Sequence, residues 1–410
     1  MSPTPWKSDL WFTSPWNFAE EVTSGLHFPK DIKIHDITLR DGEQQTGITF
    51  TRTEKVDIAK LLAATGVHRI EAGMPAVSPQ DEAAIKEIVD LDLEAEIFAF
   101  SRCMIPDVKL AASCGIKGIV VEIPSSEHII REAYGWDLDK AIKLSIEATL
   151  AAREAGLYTV FFPIDSSRAE IDWFLDLIER IATEGHMDAL AVVDTFGVLN
   201  PHAVPYLMKK IKERIDKPLE PHFHDDFNCG VANTLAALAA GGSVAHTTVT
   251  GIGERAGNTP MEDLVLALKT LYGVDLGIKT EQFVDLSRAV CAYARHTIPS
   301  NRPIVGERLY DIESGIIASW VRMTGNDKLL AIAPFRPELV GQHPVNIVMG
   351  KNSGIDSIAT WLDDRGLEAN EDQCLAMVSK VKEKALEKKG LLTEEEFMTI
   401  YKEAVQAQAT

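Results

Sequence analysis

Eight short apolar runs, each followed by a longer amphipathic stretch, constrain the fold of this chain more than any other feature. The runs are rich in β-branched residues and span residues 33–38, 68–71, 96–100, 118–123, 158–163, 189–194, 219–224 and 246–250. Strands that alternate with helices indicate βαβ units and a parallel sheet. Eight such units within about 240 residues predict an α/β fold, a closed (β/α)8 TIM barrel. An open doubly wound sheet is the alternative.

The remaining segments differ in composition from this repeat. Residues 1–30 are rich in Pro, Ser and aromatic side chains, and we expect an N-terminal arm that packs on the barrel or on a partner subunit. The barrel is expected over residues 31–285. Beyond it the strand pattern disappears, and residues 286–410 predict a smaller, mostly helical domain. Its helices are expected at 286–296, 315–323, 355–363, 371–388 and 393–407.

Charge and cysteine content exclude several functional classes. The 410 residues include 41 basic and 61 acidic side chains, which gives a formal charge of −20. Such a chain lacks the basic surface that nucleic acid or an anionic membrane requires. The five cysteines show no CxxC spacing, and the N-terminal region lacks a signal-peptide pattern, so we expect a cytoplasmic protein. No apolar run approaches the ~20 residues that span a bilayer.

Polar residues cluster where the predicted strands end, the face on which barrels of this kind carry active sites. His222 and His224 lie two residues apart on the seventh strand, so both side chains point to the same side. Two imidazoles and a carboxylate, which Asp41 after the first strand supplies, form a ligand set for a divalent metal such as Mg, Mn, Zn, Co or Fe. The alternative is a pair of buried, hydrogen-bonded histidines.

Neighbouring charged residues fit the same interpretation. Asp225 and Asp226 follow the histidine pair, where they either orient the imidazoles or cap the next helix. Arg40 beside a metal would hold an oxyanion or a developing enolate. The alternative is a structural ion pair of Arg40 with Glu43 or Glu71. The ion pair and the oxyanion contact are compatible if Glu71 fixes the guanidinium.

The loop after the eighth strand, GIGERAGN at residues 251–258, is rich in glycine. Gly251 and Gly253 would allow close approach of the backbone to a ligand, and barrels often bind phosphate here. The loop lacks the spacing of a nucleotide-binding motif, and a simple tight turn is the alternative. Asn258 would reach the metal or a metal-bound water. Thr195 would donate to a substrate carboxylate, or Asp194 and Thr195 merely cap a helix.

Four motifs together resemble a known family. ITLRDGEQ, EAGMP, HFHDD and GIGERAGN are similar to those of the DRE-TIM metallolyases, which include isopropylmalate, homocitrate and citramalate synthases and hydroxymethylglutaryl-CoA lyase. The resemblance runs from Ile34 to about Leu271 and continues weakly through IESGI and GKNSG. It implies a (β/α)8 barrel with a divalent metal at the ends of the strands. The ligands it implies are Asp41, His222, His224 and, as a fourth, Asn258.

The resemblance also implies a chemistry and a substrate class. The family joins the methyl group of acetyl-CoA to a 2-oxo acid, or catalyses the reverse cleavage, and its members commonly form homodimers. Arg40 and Glu71 are then expected to be catalytic, and Arg40, Gln44 and Thr195 to bind the 2-oxo acid. The acyl-CoA would contact Gly251, Gly253, Glu254 and Arg255. GERAGN resembles the synthase branch, because the lyase branch has a reactive cysteine in this loop and none lies between Cys229 and Cys291.

Three departures concern the acyl-CoA side. Ile317 and Phe335 stand where synthases usually have a histidine and a tyrosine, and residues 161–165 lack a frequent glutamate. The identity of the general base therefore stays open, and the candidates are Asp165, His128 and His343. Two other functions also stay open. One is a metal-dependent lyase or aldolase that cleaves a tertiary 2-hydroxy acid or its CoA ester. The other is a non-catalytic barrel that binds a 2-oxo acid.

Overall fold

The structure is a computed structural model that describes residues 4–406. Contacts within the chain define two compact units, Pro15–Ile298 and Met1–Ser14 together with Pro299–Thr410. These limits differ from the domain limits expected from the sequence, which stay predictions. The boundary expected after residue 285 falls inside a helix of the first unit, Phe283–Ala294, and the expected arm is divided at residue 14. Residues 1–3 of the predicted arm and residues 407–410, of which residue 407 ends the last predicted helix, lie outside the described residues.

The larger unit contains a closed barrel of eight parallel strands. The strands are β1 Lys33–Asp36, β2 Arg69–Glu71, β3 Glu96–Arg102, β4 Gly118–Pro124, β5 Tyr158–Ile164, β6 Ala189–Asp194, β7 Leu219–Phe223 and β8 Val244–Thr247. Their order is β7-β6-β5-β4-β3-β2-β1-β8. The backbone N–H of Ser243 donates to the carbonyl of Leu219 at 2.8 Å, which joins β8 to β7. The predicted (β/α)8 barrel is confirmed, although β8 begins two residues earlier than expected.

Helices connect and cover these strands. They are α1 Glu20–Thr23, α2 Arg52–Thr65, α3 Pro79–Asp90, α4 Ile105–Ala112, α5 Leu138–Glu154, α6 Ile171–Thr183, α7 Ala203–Lys212, α8 Gly230–Ala239, α9 Met261–Leu271 and α10 Phe283–Ala294. Local sequence sets their limits, as α2 shows. Thr51 and Glu54 form a capping box at its start, and Gly66 ends it with a φ of 96°, a conformation that glycine adopts at little cost.

The inside of the barrel is divided by chemistry. The inward side chains of β3 to β6 form an apolar cluster that consists of Phe98, Phe100, Val120, Val160, Phe162, Ala189, Ala191 and Val193. On the other half, β7, β8, β1 and β2 carry buried polar side chains, namely Glu220, His222, His246, His35, Arg69 and Glu71. Buried charge requires partners, so the polar half is the place to look for a functional site.

The second unit is mostly helical, as predicted. Its helices are α11 Gly315–Thr324, α12 Ile355–Asp364, α13 Glu371–Lys388 and α14 Glu394–Gln406. The sequence did not predict its two short strands, β9 Asp311–Ile312 and β10 Asn346–Ile347, which pair in parallel. Ile317 is half-buried in α11, and the Phe335 carbonyl accepts from the Tyr310 hydroxyl at 2.8 Å. Among residues 4–406, no helix is both long enough and apolar enough to cross a bilayer.

Candidate metal and substrate site

Three side chains with metal-binding atoms converge at the barrel mouth, where the strands end. Asp41 follows β1, His222 lies in β7, and His224 comes directly after β7. One atom from each of these side chains lies within 4.8 Å of the others, and all three residues are buried. They meet because β7, β8 and β1 are neighbours around the barrel. Two histidines and one carboxylate gathered in this way are a ligand set for a divalent metal.

Hydrogen bonds leave the correct atoms free for a metal. His224 Nδ1 lies 3.1 Å from the carbonyl of Gly257, which only accepts, so the proton is on Nδ1 and Nε2 is a free ligand atom. Asn258 Nδ2 donates to Asp41 Oδ1 at 2.7 Å, which fixes the orientation of the amide. Asn258 Oδ1 is then buried without a hydrogen-bond partner among the described residues. A cation would satisfy this orphaned oxygen, so the residues present fit a divalent metal.

The charge states also suit a metal. Burial raises the pKa of Asp41, but the neighbouring Arg40, together with His224 and Asn258, outweighs burial and lowers it below its usual value. Burial, assisted by the charges around it, lowers the pKa of His222 well below its usual value. Asp41 is therefore ionised and His222 neutral near pH 7, and these are the forms in which each residue binds a metal.

Arg40 is held from two sides and keeps one donor free. Its Nε donates to Glu71 and its Nη1 to Asp41, and its guanidinium stacks 4.0 Å from the ring centre of Phe100. Arg40 Nη2 is buried without a partner among the described residues. Burial opposes ionisation of Glu71, but the Arg40 guanidinium outweighs it and lowers the pKa of Glu71 to about 2. The predicted Arg40–Glu71 pair is present, so Glu71 fixes the guanidinium beside the ligand set.

The structure also shows the partners of Glu43 and Gln44, two residues close to Arg40. The alternative ion pair of Arg40 with Glu43 is wrong, because Glu43 pairs with Lys55 at 2.5 Å. Gln44 Oε1 lies 3.5 Å from Arg40 Nη1, at the outer limit of a hydrogen bond. Gln44 therefore lies beside the guanidinium but does not hold it.

Thr195 lies at the mouth after β6 with its hydroxyl proton available. Its Oγ1 accepts from the backbone N–H of Asp165 at 2.8 Å, so the O–H can still donate to a ligand. The alternative that Asp194 and Thr195 cap a helix does not match the contacts: Asp194 accepts from the N–H of Leu199 at 2.9 Å, four residues before α7 begins, and Asn200 accepts from the N–H of Ala203 at 3.1 Å at the helix start.

Asp165, one of the candidate bases, is fully engaged. It accepts from Ser126 at 2.6 Å and from Arg168 at 2.7 Å and 2.9 Å, and His128 Nε2 lies 3.0 Å from its Oδ2. The carboxylate is buried. The Asp165 carboxylate is therefore a structural hydrogen-bond acceptor for these side chains.

The glycines of residues 251–258 bring the backbone against the ligands. A Cβ on Gly257 would lie 1.8 Å from the carbonyl oxygen of Gly251. A Cβ on Gly253 would lie 2.2 Å from Asn258 Nδ2 and 3.3 Å from Asp41 Oδ1. Both glycines also have positive φ, 92° and 158°. The loop is thus a tight turn whose shape places Asn258 against Asp41.

The charged residues of this loop pair with each other and with Asp226, which follows the end of β7. Arg255 donates to both carboxylate oxygens of Asp226 at 2.9 Å and 3.0 Å, and Glu254 lies 3.4 Å from its guanidinium. Asp225 accepts from the N–H of Gly230 at 2.6 Å, at the start of α8, as the capping alternative predicts. That Asp225 and Asp226 also orient the imidazoles stays a prediction.

Sequence reasoning missed a polar network beneath the ligand set. His222 Nδ1 lies 3.2 Å from His246 Nδ1, and His246 Nε2 lies 3.1 Å from Glu220 Oε2. Glu220 Oε1 accepts from Arg69 at 2.8 Å. The signal was available, because Glu220 stands two residues before His222 and shares its side of the strand.

Glu122 is a further carboxylate at the mouth, to which the sequence assigned no proton exchange. It stands on β4 two residues beyond Val120, which belongs to the inner cluster, so its side chain points into the barrel at the mouth. Burial raises the pKa of Glu122 to about 7, although Arg40 and Arg102 act in the opposite direction. A carboxylate with such a pKa is suited to exchange protons near neutral pH.

The fold and the site together define a class of protein, a (β/α)8 barrel that presents two histidines and a carboxylate at its mouth. Residues 31–290 match the family described as HMGL-like. The chain belongs to this family.

Relatives with similar sequences carry the names of synthases. The chain is 36% identical over 392 residues to homocitrate synthase AksA of Methanothermobacter thermautotrophicus, which covers 96% of this chain and 97% of that protein. It is 36% identical to 2-isopropylmalate synthase of Methanocaldococcus jannaschii, with 90% of this chain and 71% of the relative covered. Among solved structures, the HMG-CoA lyase of Bacillus subtilis has a TM-score of 0.60 at 22% identity and covers 67% of this chain and 97% of that chain. This last likeness concerns the fold alone.

Proposed function

We propose that this protein is an acyltransferase that condenses acetyl-CoA with a 2-oxo acid in a reaction that depends on a divalent metal. The observation that supports it most is the buried set of Asp41, His222 and His224 with the unpartnered Asn258 Oδ1. Relatives named homocitrate and 2-isopropylmalate synthases match this chain over most of its length. A divalent metal bound at this set, such as Mg, Mn, Zn or Co, would supply a Lewis acid that polarises the keto group.

The chain's own residues would bind and orient the 2-oxo acid. Arg40 Nη2, the free donor beside Asp41, would donate to the keto oxygen and stabilise its developing negative charge. The hydroxyl of Thr195 would donate to the substrate carboxylate, since its acceptor side is already used by Asp165 N–H. The amide of Gln44 lies near Arg40 and would contact the same carboxylate.

Glu122 is the proton acceptor that the geometry favours. Residues 161–165 lack the glutamate common in synthases, and Asp165 is occupied by its partners. Glu122 lies on β4, the strand next to β5, and stands opposite Phe162 in the pairing of these two strands. Its side chain therefore reaches the mouth beside residues 161–165. Its carboxylate would take a proton from the acetyl methyl group. The methyl carbon then bonds to the keto carbon, the keto oxygen gains a proton, and water hydrolyses the thioester to release the CoA thiol.

The test is release of CoA thiol from acetyl-CoA with a panel of 2-oxo acids, each assayed with Mg, Mn, Zn or Co. We expect release with at least one acid, loss of release with a chelator, and loss on His222→Ala or His224→Ala. His202→Ala, at an exposed histidine, is the matched control and should keep activity. If no 2-oxo acid in the panel leads to thiol release, the proposed synthase function is rejected. Formation of a 2-oxo acid from alkylmalates or their CoA esters would instead support a lyase. A homodimer and a cytoplasmic location stay predictions.

A further inference from the structure

We propose that His246 and Glu220 are positioning residues that set the ring tautomer of His222 and so prepare it to bind the metal. This inference rests on the proposed metal site. All three side chains are buried in the polar half of the barrel. They form one chain of contacts with Arg69: His222 to His246 at 3.2 Å, His246 to Glu220 at 3.1 Å and Glu220 to Arg69 at 2.8 Å.

The protons in this chain of contacts can be assigned from its acceptor end. Glu220 is paired with Arg69, and a carboxylate only accepts. His246 Nε2 lies 3.1 Å from Glu220 Oε2 and must therefore carry a proton, since two lone pairs would otherwise face each other in a buried site. With that proton on Nε2, Nδ1 is the ring atom of His246 that accepts.

The same reasoning passes to the metal ligand. Only one proton fits between the two Nδ1 atoms, which are 3.2 Å apart. Because His246 Nδ1 has none, His222 Nδ1 carries it and donates. His222 Nε2 is then unprotonated, and this is the atom that lies 3.7 Å from Asp41 Oδ2. His246 thus imposes on His222 the tautomer that a metal at the barrel mouth requires.

A second set of possible ligands lies deeper in the same half, and the assignment decides between the two. Atoms of His35, Glu220 and His246 also lie within 4.8 Å of one another. A metal on His246 Nε2 would move that ring's proton to Nδ1, and His222 would have to carry its own proton on Nε2. His222 could then no longer bind at the mouth. The positive charge of Arg69 beside Glu220 disfavours metal binding at this deeper set. The structure therefore assigns the network the role of orienting His222 for a metal at the barrel mouth.

The test uses two substitutions that differ in one property. His246→Gln keeps an acceptor for the His222 N–H, whereas His246→Leu has a similar volume and no acceptor. The dissociation constant for Mn²⁺ is measured by electron paramagnetic resonance on the whole chain. Loss of a partner that orients a ligand typically weakens metal binding about 10- to 100-fold, and we expect that loss for His246→Leu. His246→Gln should recover most of it. Equal loss in both, or none in either, would overturn the inference.

A measurement on the unchanged protein covers the case in which the variants do not fold. With histidine labelled with ¹⁵N and Zn²⁺ added, we expect His222 protonated on Nδ1 and His246 on Nε2. A proton on Nε2 of His222 would overturn the inference. The two proposals fail in different ways, because a protein that binds no Mn²⁺ or Zn²⁺ at all rejects the metal site itself. Metal binding that does not respond to residue 246 rejects only the role of His246.

Discussion

Replacing Gly253 by alanine should damage the metal site while the barrel stays folded. The added Cβ would lie 2.2 Å from Asn258 Nδ2 and 3.3 Å from Asp41 Oδ1, whereas real Cβ contacts are essentially never below 3.0 Å. Asn258 must retreat, and with it the amide that holds Asp41 in place. A displacement of about 1 Å in an active site can cost about 100-fold in rate. We therefore expect kcat/KM for thiol release to fall by about that factor, with weaker Mn²⁺ binding.

The assay separates this local effect from general instability. Gly253 has a φ of 158°, and a non-glycine residue in such a conformation costs on the order of 1–3 kcal/mol. Gly277→Ala is the matched control, because Gly277 also has a positive φ, 73°, but no atom lies within 4 Å of its added Cβ. Thermal unfolding, Mn²⁺ affinity and thiol release are measured for both variants.

Both variants should lose stability, and only Gly253→Ala should lose metal affinity and activity. Unchanged Mn²⁺ binding and kcat/KM in Gly253→Ala would refute the reasoning, since Asn258 would then not need its observed place. Equal losses in Gly277→Ala would refute it as well.

Three further substitutions test single groups at the mouth. Glu122→Gln should lower kcat at least about 100-fold, the usual contribution of a general base, with Mn²⁺ affinity unchanged. Because burial raises the pKa of Glu122 to about 7 and a base must be deprotonated, activity of the unchanged protein should rise with pH through that value; the same rise in Glu122→Gln would exclude this role. Thr195→Val should raise KM for the 2-oxo acid about tenfold, the value of roughly one hydrogen bond, and an unchanged KM would remove Thr195 from the binding site. Glu71→Gln should lower kcat/KM about 10- to 100-fold by weakening a charge-assisted bond to Arg40, and activity at the original level would show that Arg40 needs no support.

The repeating pattern and the strand ends were readable in the sequence. Side-chain alternation along a strand placed His222 and His224 on one side, and the rule that barrels act at their strand ends selected Asp41. Both features depend on local periodicity. The sequence was therefore sufficient for the barrel and for the set of Asp41, His222 and His224, but not for Glu122 at the same mouth.

Partner choice and boundaries depended on contacts between distant segments. Arg40 selects Glu71 over Glu43 because Lys55, from α2, takes Glu43. The expected boundary at residue 285 followed the end of the strand pattern, but α10 belongs to the barrel unit, and its Tyr293 hydroxyl lies 3.4 Å from Asp57 of α2. An amphipathic pattern does not tell which surface a helix covers.

The position of the ligand set relative to the order of the chain has a consequence for folding. Asp41 and Asn258 are 217 residues apart and stand on either side of the junction where the last strand joins the first. A barrel with β8 still unpaired therefore holds neither the complete ligand set nor His246 in place. A ligand that binds only the closed form stabilises it, by about 2.7 kcal/mol at a concentration 100 times its dissociation constant. Metal binding during refolding should thus follow closure of the barrel and report when its two ends have met.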